Sequence, residues 1–358
     1  MGGLELNIRD DLRFYSGKRV LVTGHTGFKG SWLCCLLAGA GAEVTGYALK
    51  PESPSLFAEA HIGDRMNSVI GDIRDREKLL SVFCETRPEI VFHLAAQPLV
   101  RESYKNPAYT YETNVMGTVN VLDCVRQSES VKSFLNVTTD KVYFNREWEW
   151  GYRENEELNG YDPYSNSKSC SELVTETYKR CFLSNIGIST ARAGNVIGGG
   201  DFAKDRIIPD CIRAAVNGRS IGIRNPYSVR PFQHVLEPIF AYAVIARRQF
   251  EDASLSGSYN IGPQDDGCVS AGTLADLFCK HWGGIAWENL SESGSPHEAG
   301  FLKLDCSRIK KTFGISPVWS IDKAVEMVCR FTKTQLNGGD AASEMNTEIS
   351  EYMEDMTK

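Results

Sequence analysis

Long apolar runs are missing from this chain of 358 residues. None approaches the roughly 20 residues needed to cross a bilayer as a helix, which argues against a membrane protein. Cys-x-x-Cys pairs are missing too. The eleven cysteines are scattered and odd in number, so a disulfide framework is not expected and a reducing cytoplasm is. Cys34, Cys35 and Cys124 fall in apolar helical runs, where a free thiol acts as a small hydrophobe. Positive charge is in short supply: the formal net charge is −7, which argues against a nucleic-acid backbone as partner. An anionic ligand must then be met by local arginines. Residues 1–15 lack the apolar core of a signal peptide, and the expectation is a cytoplasmic protein. No metal-ligand spacing occurs. A glycosylation sequon, Asn136-Val137-Thr138, lies inside an apolar run and is set aside.

What the chain does have begins with Lys18-Arg19-Val20-Leu21-Val22, a short strand, followed at once by Thr23-Gly24-His25-Thr26-Gly27-Phe28-Lys29-Gly30 and a helical run, Ser31 to Ala40. Glycines at this spacing allow a tight turn, close approach of backbone to a pyrophosphate, and close packing of helix on sheet. The helix amino terminus offers free N–H groups and a positive dipole end. Further along, Phe134-Leu135-Asn136-Val137 reads as a buried parallel strand that ends in Thr138-Thr139-Asp140-Lys141-Val142-Tyr143. Open α/β sheets place their chemistry at such carboxyl ends. Tyr164-Ser165-Asn166-Ser167-Lys168 puts Tyr164 and Lys168 one helical turn apart on one face. A lysine there can lower the phenol pKa and ready it for proton transfer. Together these segments hold two acid/base centres, more than simple hydride transfer needs.

The first half alternates strands and helices, which predicts an α/β fold, a doubly wound parallel sheet of Rossmann type. Glu43–Leu49, Ser68–Ile73 and Ile90–Ala96 read as strands two to four, the last ending in small residues. A long helix is expected from Pro107 to Gln127, and a sixth strand over Gly187–Ala193. Residues 17–195 then form a nucleotide-binding domain. Residues 196–335 read as a smaller substrate-binding portion built of short pieces, some of which interleave with the sheet. Residues 338–358 read as an acidic tail, mobile or marginally helical.

With the glycine turn, the strand end His93-Leu94-Ala95-Ala96, Tyr164/Lys168 and Arg192-Ala193-Gly194-Asn195 in this order, the chain resembles the extended short-chain dehydrogenases/reductases from about Lys18 to Val325. Thr139-Asp140 after the fifth strand is similar to the nucleotide-sugar 4,6-dehydratases within that group. Thr139-Asp140-Lys141, the segment Glu147–Glu154, Asp162-Pro163-Tyr164-Ser165 and Thr23–Trp32 resemble the branch that works on CDP-glucose. The dTDP-glucose branch usually carries Glu where this chain has Lys141.

The resemblance implies NAD as cofactor, CDP-glucose as substrate, a homodimer or homotetramer, and a role in deoxysugar synthesis. It implies that Tyr164 takes the proton of the sugar 4-hydroxyl, Lys168 supports the phenolate, and Thr139 holds the 4-oxygen. Asp140 would protonate the departing 6-hydroxyl and Lys141 would remove the C5 proton. For Lys141 a salt bridge or phosphate contact is the competing reading, because adjacent Asp and Lys tend to form an ion pair. Gly24, His25, Thr26, Gly27, Phe28, Lys29 and Gly30 would meet the cofactor, with Asp72, Ile73, Leu94, Ala95 and Ala96. A helix N-cap is the other use for Asp72. The end of strand two, Tyr47-Ala48-Leu49-Lys50, lacks the carboxylate that usually selects NAD over NADP. On the substrate side the resemblance points to Arg101, Tyr104, Asn195, Arg206, Arg230 and His297, with Arg224 as a further phosphate contact. Trp148, Trp150 and Tyr152 either cover the site or pack a loop. A nucleotide-sugar 4-epimerase needs only Tyr164 and Lys168, and a dinucleotide-sensing protein needs neither. Asp140 and Lys141 separate dehydration from both.

Overall fold

The computed structural model describes residues 6–291 and 301–358. Its centre is a seven-stranded sheet in which every neighbouring pair is parallel. The strands are β1 (Arg19–Thr23), β2 (Glu43–Ala48), β3 (Asn67–Ile70), β4 (Ile90–His93), β5 (Ser133–Thr139), β6 (Gly187–Ala193) and, much later in the chain, Ser258–Ile261. The order places β1 beside β4, with β2 and β3 beyond it on one side and β5 and β6 on the other. The chain therefore reverses its direction of winding between β1 and β4, the crevice in which such sheets bind ligands.

Both faces are covered, as the continuous apolar strands require. One face packs on the helices Phe28–Gly39 and Leu236–Glu251 through Trp32, Leu33, Ile239 and Phe240. The other packs on Arg76–Thr86, Gly117–Gln127 and part of Pro163–Cys181 through Leu79, Phe83, Leu122 and Val125. The smaller portion has its own core, formed by Ile208, Cys211, Leu274, Phe278 and Val328. A three-stranded sheet (Cys268–Ser270, Val229–His234, Asn195–Ile197) and a two-stranded one (Trp287–Asn289, Ile221–Ile223) frame it.

Some elements differ from expectation. Strand three stops at Ile70 and strand four at His93, because the residues that follow leave the ladder for the crevice. The helix expected over Pro107–Gln127 is broken by a widened, π-type turn at Glu112–Met116. The region beyond Asn195 is not made only of short pieces: Leu236–Glu251 is a buried helix of 16 residues. The expected acidic tail is an ordered helix, Ala341–Asp355, capped by Asp340, which accepts from Ser343 N at 2.7 Å. Its Ala341, Ala342, Met345, Ile349 and Tyr352 are buried at helical spacing, a stripe that the intervening glutamates conceal in the sequence. Among the described residues no helix is long and apolar enough to cross a membrane.

Candidate active site

β5 is buried along its whole length and delivers Thr139 to the carboxyl edge of the sheet. A single tight turn, Asp140–Val142, follows. The Thr139 hydroxyl accepts from Lys141 N at 3.4 Å and donates to Asp140 Oδ1 at 3.0 Å. Lys141 Nζ lies 3.2 Å from Asp140 Oδ1 and 3.2 Å from Asn195 Oδ1. The ion pair expected as the competing use of Lys141 is therefore present. Asp140 is wholly buried, and its Oδ2 has no partner among the described residues. A buried, unpaired carboxylate oxygen is costly unless a ligand or a proton satisfies it.

Asp162-Pro163 begins the helix Pro163–Cys181. The Asp162 carboxylate accepts from Ser165 N at 3.0 Å and from Ser165 Oγ at 2.6 Å, and proline occupies the first turn, where its missing N–H costs nothing. This cap fixes where Tyr164 starts its turn. The Tyr164 side chain lies beside Thr139 at the end of β5. Lys168 is buried and donates to Val137 O at 3.2 Å. Burial lowers its pKa to about 8, with Glu172 opposing. Burial raises the phenol of Tyr164 to about 12, against the Thr139 bond and the Arg206 charge. The expected lowering of the phenol by the lysine is absent here, because desolvation outweighs every nearby charge and the Lys168 ammonium is turned onto a backbone carbonyl.

The glycine turn fits a close-lying anion. Gly24 has φ +77°, and a Cβ there would fall 2.7 Å from Ala95 N, so the turns after β1 and β4 touch. A Cβ on Gly30 would fall 2.1 Å from Gly24 O. Helix Phe28–Gly39 begins without a side-chain cap, leaving its first N–H groups free to face a ligand. Thr26 Oγ1 donates to Leu49 O at 3.0 Å. Phe28, Leu94, Ala95 and Ala96 are partly exposed around this crevice. Two of the residues expected to meet the cofactor have buried side chains. The His25 ring is fully buried against Gly46 and Phe57 and bonded to Ser68 Oγ at 2.8 Å, leaving only its backbone for the turn. Burial drops its pKa to about 4. Ile73 is buried beneath Gly117. Asp72 is not a helix N-cap. Asp75 caps Arg76–Thr86, while Asp72 accepts from Arg74 N at 2.9 Å and grips its guanidinium, which lowers the carboxyl pKa.

Lys29 shares the electrostatic surroundings of Asp140, Lys141 and Lys168. Burial lowers its pKa to about 7, and the charges of Arg206, Lys168 and Lys141 push the same way while Asp140 opposes. Apart from the lysine's place in the turn, no local pattern signals this convergence. The substrate-side arginines gather on one loop. Arg101 pairs with Asp205 at 3.0 Å, Arg224 with the same carboxylate at 3.2 Å, and Arg206 with Asp201 at 3.0 Å. Arg230 donates to Val229 O at 2.8 Å, and Tyr104 is exposed. His297 lies outside the described residues. Of the aromatic residues, Tyr152 is buried and stacked on Tyr143 and Trp148, which is loop packing, whereas Trp150 is 66% exposed. The sequence pattern assigned no role to Glu172 or, beyond its place in the Arg192–Asn195 segment, to Arg192; the two form a buried ion pair at 2.9 Å behind Lys168. The spacing Tyr164, Lys168, Glu172 was the available signal.

Residues 21–328 match the family described as GDP-mannose 4,6 dehydratase. The chain is 49% identical over 357 residues to the CDP-glucose 4,6-dehydratase of Salmonella typhimurium, covering 97% of this chain and 99% of that one. It is 31% identical to the CDP-paratose 2-epimerase of Salmonella typhi over 52% of this chain and 59% of that one. Among solved structures it is similar to a dTDP-glucose 4,6-dehydratase from Bacillus anthracis in complex with NAD (TM-score 0.75, 20% identity, 90% of this chain and 99% of that one). It is also similar to a UDP-glucose 4-epimerase from Stenotrophomonas maltophila (TM-score 0.79, 20% identity, 90% and 100%). At such identities these two likenesses speak to the fold.

Proposed function

This chain belongs to the GDP-mannose 4,6-dehydratase family, and on that premise we propose that it converts CDP-glucose to CDP-4-keto-6-deoxyglucose. The observation that carries the reading is the contact of Asp140 with Lys141 at the end of β5, beside Tyr164 and Lys168. Bound NAD would supply hydride acceptance from C4 and hydride return to C6. The residues that would hold it are the glycine turn, the Leu94-Ala95-Ala96 floor and Lys168.

Tyr164 takes the proton of the sugar 4-hydroxyl, and Thr139 holds the 4-oxygen through its hydroxyl. Its phenol, raised by burial, needs a positive charge brought close before it ionises, which ties proton removal to the loaded site. The 4-ketone acidifies C5–H. A proton moved from Lys141 to Asp140 across their 3.2 Å contact leaves a neutral amine and a neutral carboxyl. Lys141 then removes the C5 proton and Asp140 protonates the 6-hydroxyl as it leaves. Arg206, with Arg101 and Arg224, meets the diphosphate in exchange for Asp201 and Asp205. A cytoplasmic homodimer or homotetramer, formed through the exposed Leu173 and Phe182 of the Tyr164 helix and its end and the exposed Met116, is part of the same proposal.

The test is incubation with CDP-glucose and added NAD, following the alkaline ultraviolet absorbance of the keto sugar. A strong signal with CDP-glucose and none with dTDP-glucose is expected. Interconversion of glucose and galactose nucleotides without that signal would replace the reading with 4-epimerisation.

A further inference from the structure

Behind the site, and touching neither crevice nor loop arginines, lies a buried polar cluster with Glu172 at its centre. Glu172 follows Lys168 by one turn on the same helix face. Its carboxylate accepts from Arg192 Nε at 3.0 Å, Arg192 Nη2 at 2.9 Å and Thr190 Oγ1 at 2.6 Å, and from the Thr138 hydroxyl. Arg192 stands opposite Thr138 in the β5–β6 register. Its remaining arm, Nη1, donates to Tyr143 Oη at 2.8 Å and to Glu154 O at 2.9 Å. Tyr143 in turn donates to Asn260 Oδ1 at 2.6 Å, on the sheet's last strand.

Thr138 and Tyr143 bracket Thr139-Asp140-Lys141 in the sequence, and both are tied to this one ion pair. We infer that the Glu172–Arg192 pair is a positioning clamp for the elimination step, holding the Asp140–Lys141 turn at its two ends without touching substrate. The inference rests on the roles proposed above for Asp140 and Lys141. A buried ion pair is a weak source of stability, so its presence here calls for another reason. The planar fork of arginine binds a carboxylate with two nitrogens and still has a nitrogen directed elsewhere; lysine, a point charge, cannot do both. The same cluster fixes the loop bearing Trp148 and Tyr152, because Asn260 N donates to Glu154 Oε1 at 3.0 Å and Asn260 Nδ2 to Tyr152 O at 2.7 Å.

The decisive variants are Tyr143→Phe, which removes one hydroxyl and leaves the ion pair, and Arg192→Lys, which keeps the charge and loses the fork. Each is assayed as the NAD-loaded full-length enzyme for kcat, KM, steady-state reduced nicotinamide and washout of deuterium from C5. Misplacing a reacting group by about 1 Å costs up to about a hundredfold in rate. The clamp therefore predicts a kcat about ten- to a hundredfold lower with KM unchanged. Reduced cofactor should accumulate and C5 washout fall in proportion, since C4 oxidation is spared. Hydrogen exchange at the Lys141 to Phe144 amides should quicken while that of β1 stays the same. An unchanged kcat in Tyr143→Phe, full elimination in Arg192→Lys, or equal slowing of oxidation and elimination overturns the clamp. Wild-type protein that leaves CDP-glucose untouched would remove the reading of Asp140 and Lys141 instead. The exchange data then judge the clamp alone: undisturbed amides would dismiss it.

Discussion

In the proposed reaction the phenol of Tyr164 and the amine of Lys141 divide the chemistry between them, and single substitutions separate their parts. Tyr164→Phe should abolish both cofactor reduction and keto-sugar formation, since it removes the hydroxyl proposed to take the proton of the sugar 4-hydroxyl. Lys141→Ala should spare C4 oxidation and stop release of deuterium from C5-labelled substrate. Normal washout in that variant would remove Lys141 as the base. Lys29 gives a pH prediction. Its folded pKa is about 7, lowered by burial first and then by Arg206 and Lys168, against 10.5 unfolded. Between those values the unfolded chain holds a proton that the folded chain has lost, so stability rises with pH across that window. The penalty is fully present below about 7. In ligand-free protein, Lys29→Met should melt higher than wild type at low pH, with the gap closing as pH approaches 10.5. A gap that widens with pH contradicts the assignment.

At the scale of elements, the helix starts and turns aim the side chains. The Asp162 cap sets the phase of the Tyr164 helix, and removing it by Asp162→Ala should cost about 1 kcal/mol in denaturant unfolding. Activity should fall by more than that loss of stability explains, because the first turn carries Tyr164. The widened turn at Glu112–Met116 turns Asn114 inward. There its amide donates to Ser167 Oγ at 2.9 Å on the Tyr164 helix and its oxygen accepts from Gln97 N at 2.8 Å. Such turns are rare and cluster near functional sites. Their sequence signature is weak, and an uninterrupted helix was the natural expectation from the apolar period alone.

Over the whole molecule, the last helix closes a core begun by the first strands. Tyr352 donates to Glu237 at 2.6 Å, packs on Phe240 and meets Trp319, all buried. Burial pushes the Glu237 carboxyl up to about 7. Removing residues 338–358 deletes the buried Met345, Ile349 and Tyr352 and uncovers Phe240 and Trp319, at about 1.5–3 kcal/mol for each buried side chain lost. The truncated chain should accordingly lose several degrees or more of melting temperature. A freely mobile tail would leave it unchanged.

The parallel sheet, the glycine turn, the strand-five end and the Tyr164–Lys168 face could be read from residue order, because local periodicity and short spacings determine them. Beyond them, sequence likeness supplied the chemistry of Asp140 and Lys141, which spacing by itself leaves as an ion pair. Only the tertiary structure decided what long-range contacts decide. It buried the His25 ring, assigned Asp72 to Arg74 rather than to a helix end, and brought Lys29 to Lys168 and Arg206. It also joined Glu172 on a helix to Arg192 on a neighbouring strand, and docked the terminal helix on Glu237. Burial and the partners of a charge depend on which distant segments the fold places together, and no local pattern carries that information.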